Sequence, residues 1–182
     1  MSRHIIGILL FGVILVGCNF IPPSDPLKSD SEVFDEFVRH HSEYSELVEL
    51  IREDKFVFSV NQDFVLVGED WPTRWWDNSQ PEFSFERWEK YKSVFNRLPS
   101  SKYQWVEKKN GLIVFSPMSS ASQDIDGSYE WIYIGKGLAY SEVPLPTVDS
   151  LDSLGFTDGP DLYKNIGDGW YVYRDTGIGK PE

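Results

Sequence analysis

The stretch 103-YQWVEKKNGLIVFSP-117 sets Asn110-Gly111 between two strand-like runs. Asn-Gly adopts positive φ readily, so the pair predicts a two-residue β-hairpin turn. The run after it, Leu112 to Phe115, has no polar alternation. Such a run predicts a central strand covered on both faces. A sheet built around that strand needs further strands beside it and helices over it.

Working outward, Phe56, Phe58 and Val60 alternate, Asn61 to Asp63 supplies turn residues, and Phe64 to Val67 is apolar again. This predicts a second hairpin. Upstream, a helix is expected over 30–52. Ser29 and Glu32 have capping-box spacing, and Phe34, Phe37, Val38, His41, Tyr44, Val48 and Ile51 recur at helical steps. A second helix is expected from the cap Ser84 to Leu98, with Phe85, Trp88, Tyr91, Phe95 and Leu98 on one stripe and Pro99 as its stop.

Downstream, MSSASQDIDG (118–127) reads as a loop and SYEWIYIGKGLAYS (128–141) as a strand bent at Gly135 and Gly137. Pro144 and Pro146 exclude regular central strand. VDSLDSLG (148–155) and DLYKNIG (161–167) are expected as helical turns, and GWYVYRD (169–175) as a last strand. The expected fold class is α+β: two helices packed on a mainly antiparallel sheet of about six strands.

The chain has 182 residues and a net charge of −12. That balance is the opposite of a basic nucleic-acid footprint, and no nucleic-acid partner is expected. Its one cysteine, Cys18, ends a long apolar run in ILVGCNFI (14–21). Residues 5–16 are apolar or glycine throughout and follow Arg3. Twelve residues of helix reach about 18 Å, against about 30 Å for a bilayer core. The segment therefore reads as the core of a signal peptide, not as a permanent span.

Leu15-Val16-Gly17-Cys18 resembles a bacterial lipobox, in which a small residue precedes the cut and a thiol follows it. The resemblance implies cleavage before Cys18, a diacylglyceryl group on its sulfur and an N-acyl chain such as palmitate on its amine. Two or three chains hold a protein stably on a membrane where one is marginal. Removing residues 1–17 removes Arg3 and no acid, so the charge becomes −13. Asn19 in place of Asp favours, by analogy with enteric lipoproteins, the outer membrane facing the periplasm. The expected organisation is a signal peptide over 1–17, a lipidated Cys18 and flexible spacer over 18–30, and one globular domain over 31–182. With Cys18 acylated no thiol remains for a disulfide, a nucleophile or a metal.

Chemistry is sparse in the body. Glu36 and His40 share a helix face, but a zinc site needs a third ligand and no HExxH spacing occurs. Ser122, Asp124, Asp126 and Gly127 fit half a calcium loop, yet Tyr133 stands where the loop needs a bidentate Glu. GKG at 135–137 lacks the remaining residues of a phosphate loop, and no GxSxG elbow exists. No catalytic residue, metal site or cofactor is therefore expected beyond the lipid on Cys18.

The most informative feature outside the anchor is 71-WPTRWWD-77. Trp71, Arg74, Trp75, Trp76 and Asp77 crowd aromatic and charged groups outside any clear period. Exposed Trp and Arg dominate binding hot spots, and flat indoles stack on sugars; the other reading has Trp75 and Trp76 closing the end of the core with Arg74 over a ring. The expected function is a non-catalytic periplasmic binding module, tethered to the membrane by its lipid, with this loop as its contact surface. Its partner is a protein, basic by charge complementarity, or a cell-wall glycan. A sharper version is an immunity-type lipoprotein that neutralises a periplasmic toxin; the rival class is a cell-wall glycan binder or hydrolase.

Overall fold

Asn110 and Gly111 have φ of 53° and 80°, the left-handed pair that a two-residue hairpin turn requires. They are seen in a computed structural model that describes residues 27–67, 83–99, 105–116, 118–124, 131–154 and 161–179. In chain order the described elements are α1 (Asp30–Arg39), α2 (His41–Glu53), β1 (Val57–Asn61), β2 (Val65–Val67), α3 (Phe85–Phe95), β3 (Trp105–Lys109), β4 (Leu112–Phe115), β5 (Ser119–Asp124), β6 (Trp131–Tyr140), β7 (Leu162–Gly167) and β8 (Trp170–Gly179). The class is α+β. All described strand pairs are antiparallel, in the order β2-β1-β3-β4-β6-β8-β7. β5 pairs with the first half of β6 and β4 with its end.

The helices cover one face. Val33, Phe37, Tyr44, Leu47, Val48 and Ile51 pack against Ile113, Phe115, Leu138, Trp170 and Val172. The opposite face carries a smaller cluster of Val114, Ala139, Tyr171 and Tyr173. β4 thus has apolar side chains buried on both faces, as its unbroken apolar run predicts. Ser29 caps α1 with the reciprocal Glu32 bond of a capping box, and Ser84 caps α3.

Several expectations are corrected. The first helix is two, because His40 leaves helical geometry at φ −123°. Its buried stripe runs through Val33 and Phe37. Phe34 and Val38, one position and about 100° further round, are 39% and 57% exposed, and His41 is exposed. In β1 it is Val57, Ser59, Val60 and Asn61 that are buried, while Phe56 lies before the strand and is exposed. Phe85 is exposed at the start of α3. The expected loop 118–127 contains β5, and the expected helical turn 161–167 contains β7. β5 is polar, and β7 mixes Leu162, Tyr163 and Ile166 with polar residues; both take the strand state by laddering onto β6 and β8, a non-local cause that residue periodicity does not carry. The described residues therefore hold three helices and eight strands, where two and about six were expected. Among them, no helix is long and apolar enough to cross a membrane.

Candidate functional site

Cys18 and the whole of Trp71, Arg74, Trp75, Trp76 and Asp77 lie outside the described residues. The histidine pair does not assemble a metal site. Glu36 is buried and bonded to the Lys28 ammonium at 2.5 Å, and the His41 ring stands edge-on to Phe37. Among the described residues, no group of three or more His, Cys, Asp or Glu could hold a metal ion. Ser122 and Asp124 of the half calcium loop lie in β5.

The fold assembles instead a charged cluster at the head of α1. Lys136 stands in the middle of β6, directly across from Arg174 of β8, on the face beneath the helices. Its side chain is 1% exposed, and a lysine so buried needs a partner for its charge. It has two. Its ammonium donates to Asp30 Oδ1 at 2.9 Å and to Asp152 Oδ1 at 2.6 Å. Asp30 is the first residue of α1 and is 3% exposed. Its Oδ2 accepts from the Leu151 N–H at 2.9 Å, the Lys164 ammonium at 3.2 Å and the Ser150 hydroxyl at 3.2 Å. Its backbone N–H donates to Asp152 Oδ1 at 2.8 Å, so Asp152 also satisfies an open donor at the positive end of the helix.

Burial alone would raise the Asp30 pKa. The bonds from Lys136, Leu151 and Lys164 outweigh it and hold the carboxyl at about 2. Such a group is ionised across ordinary pH and its oxygens are occupied, so it is unsuited to donate a proton. The arrangement ties the start of α1 to β6, β7 and the segment after β6 at one point. Beside it lies an open groove of about 460 Å³ between α1 and β7, with Phe34, Lys164 and Ile166 in its walls.

A second charged group sits on the opposite face. The Lys109 ammonium lies 3.2 Å from Asp161 and 3.9 Å from Asp175. Burial raises the Asp175 pKa against the pull of Lys109, and Asp161, which accepts a hydrogen bond from the protonated Asp175 carboxyl, adds to the rise. Burial also raises Glu107, on the same strand β3 as Lys109, and Asp175 adds to that against the pull of Lys109.

Of Asp30, Lys136, Asp152 and Lys164, the sequence singles out only Lys136, as part of GKG and against a phosphate loop, and none as a buried ion pair. A signal was present. A lysine inside the apolar run WIYIGKGLAY must either break the strand or find buried acid. The partners lie 106 residues before Lys136 and 16 after it, separations no local pattern reports. Comparison with protein-family models, curated proteins and solved structures finds no match to this chain. Neither these comparisons nor the described residues point to catalysis.

Proposed function

We propose that this chain is a lipid-anchored protein of the bacterial cell envelope that acts as a non-catalytic interaction module. The observation that carries the reading is the lipobox Leu15-Val16-Gly17-Cys18 behind a short apolar run. The structure adds a fitting mechanical feature. The spacer after Cys18 leads into Asp30, the most heavily bonded residue of the charged cluster. Extended, the ten residues from Asn19 to Lys28 ahead of the helix cap Ser29 reach at most about 36 Å. A tether of that reach lets the body meet partners near the membrane while its point of attachment stays fixed in the fold.

Cys18→Ala tests the anchor. The wild-type chain, expressed in a bacterium fed labelled palmitate, is expected to take up label, lose residues 1–17 and fractionate with membranes. The variant is expected to do none of these three as the wild type does. Identical fractionation of the two, with no acyl mass on either, overturns the reading.

A further inference from the structure

The Asn110-Gly111 turn projects between two open grooves that meet at Lys108 and Gly111. One is walled by Lys55, Phe56, Lys108 and Lys109, the other by Arg52, Tyr140, Glu142 and Val143. Phe56 and Val143 are 59% and 69% exposed, the most exposed large apolar side chains among the described residues. They come from separate loops yet flank the same turn. The lining carries four cations and one acid, in a chain whose net charge is −12.

The charges are not equally committed. Arg52 pairs with Glu49 and Glu142, and Lys109 with Asp161 and Asp175. Lys55 and Lys108 make no ion pair among the described residues. The Lys108 ammonium donates to the Asp54 carbonyl at 2.7 Å. Burial lowers the Lys108 pKa more than Asp54 raises it, the condition of a cation short of negative charge. The other acids nearby are engaged elsewhere, Glu53 and Asp54 by Arg87.

We infer that this surface docks an acidic segment of a partner protein, whose apolar side chains pack on Phe56 and Val143 and whose carboxylates meet Lys55 and Lys108. The overall charge suggests a basic partner, but the local lining has the opposite sign. A bare polyanion would use the lysines and leave Phe56 and Val143 uncovered, so a peptide accounts for more of the surface. The inference rests on the interaction-module reading and names a partner chemistry within it.

The test uses the full chain, expressed with its leader and extracted in mild detergent. It is screened against a displayed library of random twelve-residue peptides, and separately against polyphosphate. The inference expects an enriched consensus combining Asp or Glu with aromatic or aliphatic residues. Binding should weaken at least tenfold in Lys55→Glu, and likewise in Phe56→Ser, each with an unchanged urea midpoint. Acidic peptides that bind these variants as well as wild type would overturn the surface and leave the interaction module standing. A basic consensus would overturn the partner chemistry. Polyphosphate binding lost in Lys55→Glu but kept in Phe56→Ser, with no peptide selected, would assign a polyanion instead. Absence of both kinds of binding would overturn the inference and count against the module reading as well.

Discussion

Replacing Lys136 with Met should destabilise the fold by about 3 kcal/mol at pH 7. Methionine has similar length and no charge, so packing is largely kept while the ammonium is lost. Breaking a buried ion pair from one side costs about 3–5 kcal/mol, because the other charge stays buried. The lower end applies here. Asp30 keeps the Lys164 and Leu151 bonds, and the Asp152 side chain is 46% exposed and can turn to water. A second route agrees. A carboxyl moved from 3.8 to about 2 is worth about 2 kcal/mol, and Lys136 is the first of the groups that lower it.

The pH dependence makes the argument specific. The Asp30 pKa is depressed in the fold, so its stabilising share is complete above the unfolded value of 3.8. It is lost as pH falls through about 2. The gap between wild type and Lys136→Met should therefore be constant from neutral pH down to the unfolded value and shrink below it. Urea unfolding at a series of pH values reads this directly. Thermal unfolding should show a drop of about 6–12 °C at pH 7. The double variant Asp30→Asn with Lys136→Met should recover part of the loss, because neither charge is then left buried alone. A gap below about 0.5 kcal/mol at pH 7, the size of an ordinary surface substitution, would mean that Lys136 is not the counter-charge that holds Asp30. So would a gap that is unchanged at pH 2.

Three further outcomes follow from the geometry. Gly169→Ala should cost more than Gly111→Ala by at least about 1 kcal/mol in unfolding. Both have φ of 80°, but only at Gly169 would the added carbon meet backbone, the Ser141 oxygen at 2.7 Å. Asp54→Ala should destabilise by about 2–4 kcal/mol, since it removes the carboxylate that Arg87 Nε donates to, leaving Arg87 only Glu53 and the Leu50 carbonyl, and takes the 2.7 Å acceptor from the buried Tyr91 hydroxyl. Asp175→Asn should be neutral or stabilising at pH 7, the reverse of Asp30→Asn. The Asp175 carboxyl is raised in the fold, so its ionised form opposes folding at neutral pH and that opposition fades as pH falls. Paired unfolding curves at pH 7 and pH 4 would check the sign.

The local elements were the legible part of this chain. Asn110-Gly111 carries its own turn, Ser29 and Glu32 their own cap, and Leu112 to Phe115 its own two-sided burial. Each rests on interactions between residues a few positions apart, which sequence spacing records. Phase was less secure. Both Val33–Phe37 and Phe34–Val38 have helical spacing, and only the sheet beneath α1 chooses between them.

Tertiary structure alone decided the rest. β5, which is polar, and β7, which mixes apolar and polar residues, are made into strands by their neighbours. Lys136, a plain residue between two glycines in the sequence, becomes the buried centre of the cluster only when β6, the head of α1 and the segment holding Asp152 converge. Phe56 and Val143, 87 positions apart in the numbering, share one surface only because the β3–β4 turn projects between their loops. Periodicity reports which side chains seek cover. Which partner supplies the cover or the counter-charge is set by chain crossings across the sheet, and those have no local signature.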